Sequence, residues 1–142
     1  MILFDRDGHT ALESQYLDLV NECPMMFAVL ATASTWAEVE LGNPLVVTSI
    51  FRPDNKASVH AYWRGVDLRV YNPARIVDEA YVGLWEDEAQ QLAKYLNKVF
   101  TYGKGKGVAL VHGTGMDRHL HIQAPIGYAW RPSGELSRMP SV

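Results

Sequence analysis

The sequence predicts an α+β domain with a mostly antiparallel central sheet and flanking helices, and three observations carry that expectation. Helical periodicity marks two stretches near the start and one after residue 85; short β-branched runs lie between them; two apolar runs joined by a glycine loop come last. A chain of 142 residues fits one domain, because a chain this size buries roughly 68–70% of its unfolded surface without disulfides. Residues 1–142 are therefore expected to form a single unit, with "RPSGELSRMPSV", 131–142, as a loose tail.

The elements follow in order. Thr10 followed by Glu13 reads as a capping box, and Leu12, Tyr16, Leu19 and Val20 share one face of the helix it opens. A second helix is expected after Pro24, beside Cys23, whose apolar neighbours mark it as a packed core thiol. "PLVVTSIF", 44–51, is β-branched and short, which predicts a strand. "GVDLRV", 65–70, predicts another, with Val66, Leu68 and Val70 on one face and Asp67 and Arg69 on the other.

From Trp85 to Tyr102 the stripe Ala89, Leu92, Ala93, Leu96, Val99 and Phe100 is helical, with acids at its start and Gly103 beyond its end. "YGKGKG", 102–107, lacks the Gly-Lys-Ser/Thr ending of a phosphate loop and reads as a helix stop and turn. "GVALVH" and "RHLHIQ", separated by "GTGMD", predict two antiparallel strands.

Charge narrows the partners. Acids outnumber bases 16 to 13 with no block of like charge, so there is no electrostatic case for nucleic acid or an anionic membrane. No apolar run nears the ~20 residues that cross a bilayer, and "MILFDRDGHT" lacks a signal-peptide pattern; synthesis in the cytoplasm, no membrane insertion and a monomer are the expectations.

The chemistry concentrates in the histidines. Alternation in "RHLHIQ" sets His119, His121 and Gln123 on the face opposite Leu120 and Ile122. A catalytic zinc takes three nitrogen, sulfur or carboxylate ligands and leaves a fourth position to water; His60, Asp67 and His121 supply such a set. Gly65, between the first two, permits an unusual backbone angle or a close approach where the chain turns back. Spacing alone leaves the bland reading open, in which Asp67 accepts backbone hydrogen bonds and each histidine is a surface or satisfied core residue.

"Ser58-x-His60-x-x-x-x-Gly65-x-Asp67", preceded by "TSIFR" and followed about fifty residues later by "HLH", resembles the zinc D-alanyl-D-alanine peptidases. This is the Hedgehog/DD-peptidase superfamily, with its carboxypeptidases, dipeptidases and L-alanyl-D-glutamate endolysins. The histidine-to-aspartate spacing of seven is kept, whereas Gly65 lies two residues before Asp67 rather than four. The resemblance covers roughly residues 45–125.

It implies a Hedgehog/DD-peptidase-like fold, one catalytic Zn²⁺ on His60, Asp67 and His121, Ser58 bracing the ligand loop, and Arg52 binding a substrate oxygen. The implied substrate is peptidoglycan or its stem peptides, cut by a phage or prophage endolysin. A cytoplasmic D-Ala-D-Ala dipeptidase and a catalytically inactive zinc-bearing module are the alternatives. Where the family usually has an acid, three positions before the last ligand, this chain has Arg118. Asp117 and His119 are then the candidates for the catalytic base, Asp117 only if Gly113 and Gly115 let the chain bend back or a bulge interrupts the strand, since an extended strand would put it on the order of 13 Å away. His112 is a more remote candidate. Tyr62, Trp63, Tyr71 and Trp130 are available to wall a cleft or simply to pack.

Overall fold

The chain opens with a strand that its periodicity does not announce. In a computed structural model that describes residues 1–5, 11–54, 56–71, 83–100 and 107–124, with the backbone of 128–130 and 136–138, β1 spans Ile2–Phe4. Helices α1 (Leu12–Glu22) and α2 (Pro24–Trp36) follow, the second starting with proline at a position whose N–H needs no partner. The Thr10 cap lies outside the described residues. A π-helical turn, Ala37–Leu41, leads out of α2 toward β2 (Leu45–Ser49).

A short 3₁₀ turn, Val59–Tyr62, precedes β3 (Gly65–Arg69); then come α3 (Glu86–Val99), β4 (Ala109–His112) and β5 (His119–Gln123). The start of α3 is secured by Glu88, whose carboxylate accepts from the Trp85 N–H at 2.9 Å. The helix stops at Val99, short of the expected end at Tyr102, because Phe100 already has a non-helical backbone; Tyr102, Gly103 and most of the "YGKGKG" turn lie outside the described residues. In the C-terminal stretch, β6 (Tyr128–Trp130) pairs antiparallel with β7 (Leu136–Arg138), and the rest of 131–142 is outside the described residues.

The five-stranded sheet has the order β1-β2-β3-β5-β4. It is mixed rather than mostly antiparallel: β1 runs parallel to β2, while β2–β3, β3–β5 and β5–β4 are antiparallel. The physical reason is the intervening pair α1 and α2, which carries the chain back to the starting end of the sheet, as a parallel neighbour requires.

One face of the sheet is apolar. Val66, Leu68, Leu120 and Ile122 are fully buried and join Leu19, Met26, Leu30, Leu92 and Leu96 in one core, which also holds Cys23. Burial of each such leucine or isoleucine contributes roughly 1.5–3 kcal/mol. Two residues of the anticipated stripes fall outside it: Val20 and Val99 are exposed, each at the edge of its helical face.

The opposite face of β3 departs from expectation. A polar face should meet water, yet Asp67 and Arg69 are buried almost as deeply as Leu68 between them. Buried charges require partners. Those partners define the site.

Candidate metal centre

Three side chains from two strands and a loop converge over this polar face. Asp67 and His121 are direct cross-strand partners in the β3–β5 ladder, and His60 reaches them from the 3₁₀ turn. His121 Nδ1 lies 2.9 Å and His60 Nε2 3.3 Å from Asp67 Oδ1. The three ligand atoms all fall within 4.8 Å of one another. A tetrahedral ion with bonds of ~2.0–2.1 Å separates its ligand atoms by about 3.3–3.4 Å, so the group can hold a metal ion with little rearrangement.

Both imidazoles are oriented by outer partners. His60 Nδ1 donates to the Ile50 carbonyl at 2.9 Å, which leaves the Nε2 lone pair facing Asp67. His121 Nε2 stands 3.1 Å from Gln123 Oε1; donation there directs the Nδ1 lone pair at the same point. Such bonds to the far ring nitrogen select the tautomer a metal needs. Ser58 accepts the His60 N–H at 3.2 Å and so caps the turn that presents the ligand.

The chain makes the return from His60 to Asp67 in a way the sequence does not display. The left-handed residue is Trp63, with φ of 61°, held by packing of its ring 4.4 Å from Phe51. Gly65 supplies the close approach instead: a Cβ there would stand 2.7 Å from Val59, 3.0 Å from the His121 ring and 3.3 Å from His60 Nε2. Any side chain at 65 would push the histidines apart.

Electrostatics suit a cation. Burial alone would raise the pKa of Asp67, but when the facing imidazole nitrogens carry a proton instead of a metal, hydrogen bonds from His121 and His60 and the charges of His60 and His119 hold it far below the usual carboxylate range. Burial likewise works against protonated His121, yet its bond to Asp67 raises its pKa. Arg52 donates to Asp67 Oδ2 at 2.9 Å and leaves Oδ1 to the histidines, so its guanidinium lies beside the site while half-exposed to the cleft.

Around this centre lies an open cleft of about 780 Å³. His119 enters it with Nδ1 donating to the Asp117 carbonyl at 2.6 Å and Nε2 facing Asp67 Oδ1 at 3.7 Å. The chain does turn before β5: Gly113 has φ of 89° and approaches the Asp117 carbonyl where a Cβ would be 2.4 Å away, and Gly115–Asp117 make a 3₁₀ turn. Asp117 thus lines the cleft, with its carbonyl holding His119 and its side chain exposed. His112 lies edge-on to His119, ring centres 4.2 Å apart. Arg118 pairs with both carboxylate oxygens of Glu86 and with the Gly113 carbonyl at 3.0 Å.

Among the described residues, Tyr62, Trp63 and Tyr71 do not line the cleft. Trp63 packs on Phe51, Tyr71 on Trp85, and the Tyr62 hydroxyl donates to the Lys56 carbonyl. The Trp130 side chain lies outside the described residues. Gln123 is the site residue whose role sequence reading misses, although it shares the parity of His121; the Ile50 carbonyl has no side-chain signal at all.

Among the described residues no helix is long and apolar enough to cross a membrane. No family model, curated protein or solved structure matches the chain. What the site can do is therefore read from its own atoms.

Proposed function

We propose that this chain is a zinc-dependent peptidase that hydrolyses amide bonds in peptidoglycan stem peptides, as an endolysin does. One observation carries the reading: two imidazole lone pairs and a carboxylate oxygen meet at one point, and the lone pair of a third imidazole, His119, faces it across an open cleft. Two nitrogens and one oxygen suit zinc and leave one tetrahedral position for reacting groups. Bound there, zinc supplies Lewis acidity, lowering the pKa of water toward ~7 and polarising a carbonyl.

The chain's own residues do the rest. In the neutral ring, donation from His119 Nδ1 to the Asp117 carbonyl selects the tautomer whose Nε2 lone pair accepts the proton as water adds to the amide carbon. It returns that proton to the amine nitrogen as the C–N bond breaks. Arg52 stays charged through the cycle and offers N–H donors to the oxygen that gains charge. Asp67 holds Arg52 through Oδ2 and would hold the metal through Oδ1.

Openness favours the polymer over a free dipeptide, because a dipeptidase excludes water from a small enclosed pocket and this cleft crosses the whole sheet. One feature favours the silent binding module: the position implied to bear an acid is Arg118, engaged with Glu86. The orientation of His119 weighs against it.

Metal analysis of purified protein, native and as His121→Ala, tests the proposal alongside release of fragments from cell-wall suspensions. One zinc per chain, lost with activity in the variant and restored to the native protein after chelation, is the expected result. Cleavage by metal-free native protein overturns it, as does bound iron without hydrolysis, since two histidines and one carboxylate also form non-haem iron sites.

A further inference from the structure

The backbone that carries Arg52 is held by a side chain from the first helix. β2 ends at Ser49, so Ile50, Phe51 and Arg52 lie beyond the ladder, along the wall of the cleft. There the amide of Gln15, on α1, takes the place of a neighbouring strand. Its Oε1 accepts from the Phe51 N–H at 3.2 Å and its Nε2 donates to the Phe51 carbonyl at 3.5 Å.

On either side of Phe51 the chain serves the centre. The Ile50 carbonyl accepts from His60 Nδ1 at 2.9 Å, and the Arg52 N–H donates to the His60 carbonyl at 3.1 Å. The Arg52 guanidinium reaches Asp67 Oδ2. The Phe51 ring packs against Trp63, the left-handed residue at which the chain turns back toward β3. Ile50 and Arg52 thus orient one ligand of the candidate centre and present a donor beside it, and the fixed point between them is the Phe51 backbone.

The fold does not need the Gln15 amide. Leu12 and Leu19 are buried and anchor α1 in the core, and Tyr16 packs against both Phe4 and Phe27. Water in an open cleft would satisfy the Phe51 N–H and carbonyl nearly as well. What water does not do is hold them in one place. Metal centres respond to such placement, and loss of an outer partner that orients a ligand typically costs roughly 10–100-fold in affinity or activity.

We infer that Gln15 is a positioning residue for the centre: it fixes the Phe51 backbone so that the Ile50 carbonyl holds His60 and Arg52 stays against Asp67. For the part played by Arg52 in turnover the inference rests on the peptidase reading; for His60 it rests on the metal site alone.

Gln15→Met keeps the length of the side chain and removes both bonds. Zinc affinity is measured by competition with a chelator, metal geometry by the visible absorption of the cobalt(II)-substituted protein, and turnover at saturating zinc. The variant should bind zinc roughly threefold or more weakly, with shifted cobalt bands and kcat lowered about fivefold or more, whereas the melting temperature of the metal-free protein changes little. Gln15→Glu, which keeps the acceptor and loses the donor, should fall between the two and serves if the methionine variant does not fold. Unchanged zinc affinity and cobalt bands in the folded variant overturn the positioning role, even where the native protein cleaves peptidoglycan and the peptidase reading stands. A lowered melting temperature as the sole change overturns it too, since that is the mark of a merely structural bond. Weakened affinity with shifted bands upholds it, even where the native protein binds zinc without hydrolysing anything and the peptidase reading fails. A native protein that takes up neither zinc nor cobalt overturns both.

Discussion

The two faces of β3 and β5 are built from the same ten residues and obey opposite rules. On one, Val66, Leu68, Leu120 and Ile122 are buried against α2 and α3 and interchangeable in principle with other apolar groups of like volume. On the other, Asp67, His119 and His121 are placed by specific bonds to single atoms, and each is useful only in one rotamer and one protonation state. The period of two makes the faces neighbours: moving the register by one residue would exchange them completely. The apolar face therefore holds the candidate metal-binding face in register, and the polar face contributes little to holding itself.

The largest effect that sharpens this contrast is on the polar face. His119→Gln is expected to reduce turnover by roughly 10²–10⁴, the usual worth of a positioned base, while zinc content stays at one per chain and the melting temperature shifts little. Loss of zinc in this variant would make His119 a fourth ligand and the centre a closed, structural one. Turnover and metal content measured on the same sample separate the two outcomes.

Leu120→Ala, one residue away on the other face, should show the complementary pattern. It removes a fully buried side chain from the core and should cost about 2–5 kcal/mol in urea unfolding. The fraction that remains folded should keep its zinc and its turnover. If turnover per folded molecule fell as sharply as in His119→Gln, the faces would not be separable in the way their bonding suggests.

The same asymmetry explains what the sequence discloses. The apolar face of β5 is legible because alternation is a local signal, and α3 because a stripe of six residues repeats with helical period. β1 is too short for any period, so the parallel pairing that makes the sheet mixed stays hidden, although two helices in succession before β2 are what a parallel return needs. The ligand set His60, Asp67 and His121 is visible as residue types at suggestive spacing. What orients it is not: the Ile50 and Asp117 carbonyls belong to the backbone, which every sequence supplies. Burial of Asp67 and Arg69 is equally silent, because a polar face turned to a cleft and one turned to water have the same pattern.

Asp117 gives the smallest expected effect and the sharpest use of that distinction. Its contribution to the centre runs through its carbonyl, 2.6 Å from His119 Nδ1, which a side-chain substitution leaves in place. Asp117→Asn should therefore retain zinc and change turnover by less than about twofold, the scale of an exposed charge in a screened position. Gly113→Ala should act more strongly at the same carbonyl, because a Cβ would stand 2.4 Å from it and force the turn to move. A hundredfold fall in Asp117→Asn with zinc retained would transfer the base role from His119 to the Asp117 carboxylate. Asp117 would then owe its place to the sequence in its side chain rather than in the turn that positions its backbone.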